Sequence, residues 1–361
     1  MVIKYNSMPN GSFSYVEEES FFRLSRTASS GQGGMAKFIK IKYLSDIERL
    51  SKTYTNNITE IIDERIKFLL PIDFSFFHFI KDCIGRVANA YEICLKNNYS
   101  NYLFIFPYDL IQNENLNFLK KYLKNLKIDY IFLEKSNYIL KANKIYYEET
   151  NFHDLIPHPS INIYETCKEL FIENKEIKPF KKVYLTRRLT GSTLMENDLY
   201  NQNEKIEIKD GSIRPFTNIR LFEEEKIENF FEKNGFEIIC PENTFNNIED
   251  QIKYFYEVKT LVSLSGGGLG NIFFMQPETN VIELQTDIIQ SRENLHGPYP
   301  FGKENIYETN IYYEQQLHDL FFIITSCRNI FYHSIPNIDL QAETLLNKIK
   351  FNKALMNLIE E

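Results

Sequence analysis

Apolar and polar positions along the first half of the chain follow a rhythm of short apolar runs and longer helical patterns. Between residues 37 and 133 this rhythm predicts strands at 38–43, 102–106 and 130–133, and helices at 76–96 and 113–126. Strands that alternate with helices are typical of a parallel sheet covered by helices. The preceding stretch, 1–34, is weakly patterned, and the sequence SRTASSGQGG at 25–34 predicts a flexible loop.

A second rhythm of the same kind follows a segment rich in Lys at 173–182, which we interpret as a linker. The pattern predicts strands at 183–186, 237–240, 260–264 and 281–284, and helices at 221–234, 248–256, 271–275 and 340–359. Gly235 occupies the favoured position just past the end of a helix. We therefore expect an α/β fold with two Rossmann-like domains, 1–172 and 173–335, that face each other across a cleft. The C-terminal helix, 336–361, often crosses back to the first domain in such architectures.

Composition limits the classes of function that need to be considered. A chain of 361 residues with 43% hydrophobic and 25% charged residues can bury a large core without disulfides. The net charge of −8 argues against nucleic acid as a partner. Five scattered cysteines without a C-x-x-C pair argue against a disulfide framework or a zinc knuckle, and indicate a reducing compartment. Residues 1–15 contain no apolar run typical of a secretion signal, so we expect a cytoplasmic location.

The most informative segment is a glycine-rich turn between a predicted strand and a predicted helix. Glycines allow close approach of a ligand to the backbone, and the start of a helix attracts anions such as a pyrophosphate. The pattern departs from the dinucleotide fingerprint, because Asn271 stands where that fingerprint has its third glycine. A tight turn without any ligand is an equally good interpretation. The candidate ligand-binding residues of this segment are Ser265, Gly266, Gly267, Gly268, Leu269 and Asn271.

Two further places carry candidate chemistry. Arg187 follows a predicted strand, where open α/β sheets bind ligands, and Arg220 precedes a predicted helix. His78, Asp82 and Arg86 are spaced by four residues and would lie on one helix face. Taken alone, a solvated basic strand end is the better interpretation of Arg187, and a buried structural histidine is the leading alternative for His78. The sequence contains no D-x-D pair, so a bound diphosphate would be neutralised by arginines and backbone N–H groups, without a metal.

These segments, taken in order, resemble glycosyltransferase family 61. An H-W-x-x-D-x-x-x-R helix is matched by His78, Asp82 and Arg86, with Phe79 in place of Trp, and a strand ending in S-R is matched by Thr186-Arg187. Four further family motifs are matched later in the chain. R-x-x-N-E is matched at 220–224, and P-E…E-Q at Pro241, Glu242 and Asp250-Gln251. H-G-A-G-L-x-N is matched at 265–271, with Ser265 in place of His, and I-E-L at 282–284. A longer stretch than the family's usual spacing, 189–219, separates the two arginines.

The resemblance implies a GT-B architecture and an inverting transfer of a sugar from a nucleotide sugar, with a UDP-sugar expected first, to a hydroxyl of a glycan. The second domain would bind the donor through Arg187, Arg220 and the glycine-rich turn. Glu224 would orient Arg220 or contact the donor, and Glu283 would accept hydrogen bonds from ribose or act as a buried structural carboxylate. His78 or Asp82 would be the general base, and Arg86 would lie on the acceptor side.

The expected partners follow from the same resemblance. In a bacterium the acceptor would be a surface polysaccharide or a lipid-linked oligosaccharide at the inner membrane face. Lys175, Lys178, Lys181 and Lys182 could contact anionic lipid or be a solvated linker. Two other functions remain open: a non-catalytic nucleotide- or sugar-binding module, and a dinucleotide-dependent oxidoreductase or epimerase. No metal or other cofactor is expected.

Overall fold

The computed structural model of the chain divides into two compact units, Met1–Leu170 and Phe171–Glu361. The structure describes residues 13–27, 35–41, 43, 58–72, 76–107, 113–133, 139–148, 161–186, 193–194, 205–207, 213–215, 221–286, 325–326, 328–337 and 342–360.

The first unit is built on two sheets. Its strands are β1 (Phe13–Val16), β2 (Ser20–Thr27), β3 (Met35–Lys40), β4 (Ile58–Ile61), β5 (Ile66–Leu69), β6 (Tyr102–Phe106), β7 (Tyr130–Phe132), β8 (Ile139–Ala142) and β9 (Ile145–Glu148). One sheet has the order β1-β9-β5-β6-β7, in which only the β1–β9 pair is antiparallel. The other has the order β3-β2-β8-β4, in which only the β4–β8 pair is parallel.

A shared core holds the two sheets of the first unit together. Phe22 and Leu140 of the smaller sheet and Leu69 and Ile105 of the larger one belong to the same buried cluster. A sheet therefore covers one face of the parallel strands, where a Rossmann-like domain would have helices. The weak pattern of residues 1–34 was also misleading, because β1 and β2 form there and Ser25–Thr27 of the expected flexible loop are paired with β3.

The described part of the first unit has three longer helices, α1 (Gly85–Lys96), α2 (Asn113–Asn125) and α3 (Ile161–Phe171). Two of them, α1 and α2, form where the apolar spacing predicts them, whereas α3 was not predicted. A short helical turn (Phe76–His78) and a π-helical segment (Phe79–Ile84) lead directly into α1. The wider turn of the π-helix is often found at functional sites, and this one contains Asp82.

The second unit is built on a parallel five-stranded sheet. Its strands are β10 (Lys181–Leu185), β11 (Thr193–Leu194), β12 (Lys205–Glu207), β13 (Ile213–Pro215), β14 (Leu221–Phe222), β15 (Glu237–Ile239), β16 (Val258–Leu264), β17 (Asn280–Thr286) and β18 (Phe331–Asn337). The sheet has the order β15-β10-β16-β17-β18, and every neighbouring pair in it is parallel. The pairs β11–β14 and β12–β13 lie outside this sheet.

Helices of the second unit lie between these strands and after them. They are α4 (Glu224–Lys233), α5 (Pro241–Thr244), α6 (Ile248–Tyr256), a 3₁₀ helix (Gly267–Phe274), α7 (Ala342–Phe351) and α8 (Lys353–Glu360). Gly235 ends α4 with a φ of 79°, and its N–H donates to the Glu232 carbonyl over 3.0 Å, as the sequence predicts. None of the described helices has both the length and the apolar character needed to cross a bilayer.

The C-terminal segment completes the core of the second unit. The sequence predicts one helix over 340–359, but the chain forms two, α7 and α8, which are separated at Asn352. Leu345, Ile349 and Ile359 are buried in one cluster with Tyr184 of β10 and Phe231 of α4. In addition, the Lys182 ammonium donates to the Ile359 carbonyl over 2.8 Å. These helices therefore belong to the second unit and are not a separate element.

The segment interpreted as a linker is bonded to the second unit along its length. The Tyr256 hydroxyl donates to the Lys175 carbonyl, and the Phe180 N–H donates to the Glu257 carbonyl. Lys181 forms an ion pair with Glu257, with a distance of 2.8 Å between charged atoms, and lies 4.1 Å from the centre of the Tyr254 ring. Lys181 and Lys182 are thus engaged by the second unit itself, which leaves fewer of the four lysines for a membrane surface.

Candidate functional site

The carboxyl ends of β10 and β16 lie side by side at a topological switch point. The sheet of the second unit has the strand order β15-β10-β16-β17-β18, which is 2-1-3-4-5 when the five strands are numbered along the chain. The connections after β10 and after β16 therefore leave the sheet in opposite directions, and ligands of open parallel sheets bind in the crevice that this creates. Thr186 follows β10, and Ser265 and Gly266 follow β16.

The glycine-rich turn begins at once after β16. Gly266 has a φ of 142° and a ψ of −166°, a conformation that only glycine adopts readily. Ser265 anchors the turn to the neighbouring strand β17, because its N–H donates to the Leu284 carbonyl over 3.1 Å. The following helix is a 3₁₀ helix that starts at Gly267, whereas the sequence predicted a helix from residue 271. The glycines thus form the first turn of this helix, whose leading N–H groups have no partner within the helix.

Gly268 lies directly against the last residues of β10 and β16. A Cβ atom at this position would be 3.3 Å from Leu185 Cδ1 and 3.5 Å from Ser263 Oγ. Leu185 and Ser263 are partners in the β10–β16 register, so the turn rests on both strands at the switch point. Gly268 therefore occupies a tightly packed position, where a Cβ atom would need the Leu185 methyl group to move by a few tenths of an ångström, whereas Gly266 is favoured by its backbone conformation.

Asn271 holds the turn from inside and is itself fully buried. Its Nδ2 donates to the Gly268 carbonyl over 2.9 Å, and its Oδ1 accepts from Gln251 Nε2 of α6 over 2.6 Å. Leu269 is also fully buried, whereas Gly267 is exposed. Of the six candidates in this segment, the structure therefore makes the backbone of Gly266, Gly267 and Gly268 accessible to a ligand and gives Asn271 a supporting position.

A pair of buried carboxylates on α4 supports the end of β10. Tyr184 Oη donates to Glu224 over 2.8 Å, and Thr186 Oγ1 donates to Glu228. Residues 184 and 186 point to the same side of a strand, and residues 224 and 228 lie on one helix face, so the two bonds form a ladder. Glu224 is 1% exposed, which places this predicted donor-binding side chain in the interior beside β10. Tyr184 and Glu228 were not predicted as site residues, although the spacing of the two acids was a usable signal, and Gln251 was named only as part of the P-E…E-Q motif.

Replacing Tyr184 with Phe should weaken the second unit through this ladder. The change removes the hydroxyl and leaves the ring, which stacks on Phe231 at 5.2 Å between centroids. Because a buried hydrogen bond to a carboxylate is lost, we expect the free energy of unfolding in urea to fall by about 2 kcal/mol. The matched control is Tyr254→Phe, which removes an exposed hydroxyl bonded to Glu237 and should cost about 0.5 kcal/mol or less. Equal losses in the two variants would contradict the supporting role of the ladder.

Glu283 is in the middle of β17 and is completely buried. It is level with Ser263 of β16 and Ser334 of β18, and it accepts a hydrogen bond from the Tyr332 hydroxyl. Burial, and then the charge of Glu283, raise the pKa of Tyr332 well above its usual value, so the phenol stays a donor at every physiological pH. This geometry favours the structural alternative for Glu283 over direct contact with ribose.

A cluster of buried charges lies on the π-helical segment of the first unit. Arg86 Nη1 donates to Asp82 Oδ1 over 2.8 Å and to the Asp82 carbonyl over 2.9 Å. Lys81 Nζ is 3.3 Å from the same carboxylate oxygen, and all three side chains are at most 13% exposed. The spacing of four residues therefore brings Asp82 and Arg86 together, and Lys81 is a partner that the spacing did not indicate. The backbone of His78 ends the helical turn before this segment, but its side chain lies outside the described structure.

The remaining sequence candidates cannot be placed. Arg187 and Arg220 lie outside the described residues, as does most of the stretch 189–219. Within the described ranges, no three His, Cys, Asp or Glu side chains are grouped in a way that could hold a metal ion.

Comparison with known proteins gives a family match over a region that contains both the Asp82 cluster and the glycine-rich turn. The family model described as Glycosyltransferase 61 matches residues 76–282, which is more than half of the chain. The matched region begins at the helical turn before the Asp82 cluster and ends in β17, so it includes the glycine-rich turn. A search of curated proteins gave no match to the chain.

Proposed function

The chain belongs to glycosyltransferase family 61 and is a glycosyltransferase, and we propose that it moves a sugar from a nucleotide sugar to a hydroxyl of a glycan, with inversion and without a metal. The family assignment speaks against the dinucleotide-dependent alternative. The observation that carries the proposal is the glycine-rich turn at the switch point between β10 and β16.

The donor diphosphate is proposed to bind at the start of the 3₁₀ helix. N–H groups at a helix start carry partial positive charge and donate hydrogen bonds to phosphate oxygens. Gly267 is exposed there, and Gly266 and Gly268 have no side chains that would keep a ligand from the backbone. Arg187, which directly follows the anchored Thr186, and Arg220 would add charge-assisted hydrogen bonds. Fixed donors of this kind stabilise the leaving diphosphate as its charge develops.

Inverting transfer needs one general base for the acceptor hydroxyl. The hydroxyl oxygen forms a bond to the anomeric carbon as the bond to the diphosphate breaks, and the base takes the hydroxyl proton. Asp82 is bound by two cations, Arg86 and Lys81, which favours a role in balancing charge. We therefore assign the base to His78, with Asp82 and Arg86 on the acceptor side.

The further details of the proposal rest on the family and on the sequence. A UDP-sugar is the first donor to test, and the acceptor class is a bacterial surface polysaccharide or a lipid-linked oligosaccharide. Metal independence is supported by the lack of a D-x-D pair in the sequence, because such carboxylates commonly hold the divalent ion of metal-dependent glycosyltransferases.

The first experiment measures the unfolding temperature with UDP, GDP and CMP, with EDTA present throughout. Stabilisation by one nucleotide supports a metal-independent donor site and identifies the donor class. If none of the three nucleotides stabilises folded protein under these conditions, while one does so when magnesium is added, the claim of metal independence is wrong. Donor hydrolysis or transfer then separates an enzyme from a non-catalytic binding module.

Gly267→Asp should abolish much of this nucleotide binding. A carboxylate at the exposed start of the 3₁₀ helix would repel the diphosphate, and we expect the Kd of the bound nucleotide to rise at least about tenfold. Gly267→Asn has nearly the same shape without the charge and is the matched control, with a Kd within about threefold of wild type. Calorimetric titration measures both values. Equal effects of Asp and Asn would mean that the diphosphate binds elsewhere.

A further inference from the structure

A chain of two buried hydrogen bonds connects α6 to the glycine-rich turn. It runs from Gln251 Nε2 to Asn271 Oδ1 over 2.6 Å and from Asn271 Nδ2 to the Gly268 carbonyl over 2.9 Å. Gln251 is 6% exposed and Asn271 is not exposed at all, so water has little access to replace the bond between them. The two bonds reach the turn from the protein interior.

Chemistry fixes the orientation of the Asn271 amide in these two hydrogen bonds. A carbonyl oxygen can only accept hydrogen bonds, so Asn271 must present its amide nitrogen to Gly268 and its oxygen to Gln251. The partner at position 251 must therefore be a donor. A side chain at residue 251 that can only accept hydrogen bonds would require the Asn271 amide to rotate by half a turn. The Asn271 side-chain oxygen would then lie against the Gly268 carbonyl oxygen, which is also an acceptor.

We propose that Gln251 is a positioning residue for the donor nucleotide, which it affects through Asn271 and Gly268 without touching the ligand. This role rests on the proposed function. It holds the first turn of the 3₁₀ helix in one orientation before the ligand arrives, so that the backbone N–H groups are already directed at the diphosphate. Donors fixed in advance need no reorganisation when charge develops on the leaving group.

Gln251→Glu tests this role with almost no change in side-chain shape. The introduced carboxylate can only accept hydrogen bonds, so it cannot donate to Asn271 Oδ1 as Gln251 does. We expect the Kd for UDP, or for whichever of UDP, GDP and CMP the wild type binds, to rise at least about tenfold. Amide hydrogen exchange at residues 267–270 should become faster in the same variant without nucleotide.

The control for general destabilisation is Tyr256→Phe. It removes a hydrogen bond of the same unit, to the Lys175 carbonyl, at the opposite end of the sheet. It should leave the Kd and the exchange of the turn as in wild type. A further readout is the pH dependence of binding. A carboxyl group at residue 251 regains a donor when it is protonated, so the ratio of the variant Kd to the wild-type Kd should fall as the pH is lowered from 8 towards about 5. This pH range is chosen because burial raises the pKa of a glutamate side chain above its usual value of about 4.3.

Three outcomes would overturn the inference. Gln251→Glu could bind the nucleotide with the wild-type Kd, its turn could exchange no faster than in wild type, or Tyr256→Phe could weaken binding equally. A wild-type protein that binds none of the three nucleotides, with or without magnesium, would overturn the proposed donor site, and this role with it. Normal wild-type binding combined with an unaffected Gln251→Glu variant overturns the inference alone.

Discussion

Asp82→Asn is expected to lower the free energy of unfolding by about 3 kcal/mol, the largest effect of any single change considered. The carboxylate is 11% exposed and is bonded to Arg86 over 2.8 Å, with Lys81 only 3.3 Å away. Removal of this negative charge leaves the positive charges of Arg86 and Lys81 close together in a poorly solvated place, which costs far more than the pair itself contributes. Urea unfolding of the purified variant measures this loss.

The same region of the chain offers a matched control on a water-exposed surface. Glu92 and Lys96 on α1 are also spaced by four residues, with a distance of 2.7 Å between charged atoms, but they are 40% and 60% exposed. Glu92→Gln should therefore cost about 0.5 kcal/mol or less. If Asp82→Asn is no more harmful than Glu92→Gln, the buried charge cluster does not stabilise the first unit.

The turnover of Asp82→Asn, measured under conditions in which the variant is folded, tests whether His78 or Asp82 is the general base. We expect Asp82→Asn to keep part of its activity, because it does not remove the group assigned to take the proton. His78→Ala should lose about two to four orders of magnitude, as is typical for a general base. The opposite order of effects would move the base to Asp82.

Gly268→Val is expected to cost about 2 kcal/mol and to raise the Kd for the donor nucleotide. The first added carbon would already lie 3.3 Å from Leu185 Cδ1, and the two methyl groups beyond it would push the 3₁₀ helix away from the sheet. The matched control is Gly267→Val, because residue 267 is exposed and the family motif has alanine there. Its cost should be below about 1 kcal/mol in urea unfolding.

A double-mutant cycle with Leu185→Ala identifies the contact that causes the effect. Space created by the smaller side chain should accommodate the valine, so that Gly268→Val costs less in this background than alone, by at least about 1 kcal/mol. Additive losses would show that Leu185 is not the obstacle, and the packing explanation for Gly268 would then be wrong.

The sequence predicts much of the second unit because its elements follow local rules. Residues 248–256 form a helix with the predicted bounds, and Gly235 ends α4. The strands at 183–186, 237–240, 260–264 and 281–284 all exist, with bounds shifted by a few residues at most. Apolar runs stopped by Gly or Pro are strong signals, because a buried strand must be apolar and its end must turn.

The first unit was harder to predict because its second sheet depends on long-range pairing. Strand β2 has an exposed Arg23 and pairs with β3 and β8, which is more than one hundred residues away along the chain. Short strands of this kind have no period that distinguishes them from a loop, so tertiary contacts decide their conformation. The π-helical segment was missed for a related reason, since nothing in the local pattern marks the extra residue in its turn.

The location of the glycine-rich turn was predictable from the sequence, whereas the contacts of its residues were not. Strand ends and glycines located the turn, because ligands of parallel sheets bind at those ends. The pattern could not show that Asn271 and Glu224 are directed into the protein. Which atoms face a ligand depends on the partners across the fold, Gln251 and Tyr184, and these are far apart in sequence.

The two cores are completed at very different moments of synthesis. The cluster between the sheets of the first unit uses residues from Phe22 to Tyr147, whereas the core of the second unit joins Tyr184 to Ile359. A ribosome that has made the first 150 or so residues has supplied all that the first of these cores contains. The core that contains Tyr184 of β10, by contrast, is complete only after about 175 further residues have been translated. Because an incomplete core exposes apolar surface that favours aggregation, we expect mutations in α7 or α8 to reduce the yield of folded protein first.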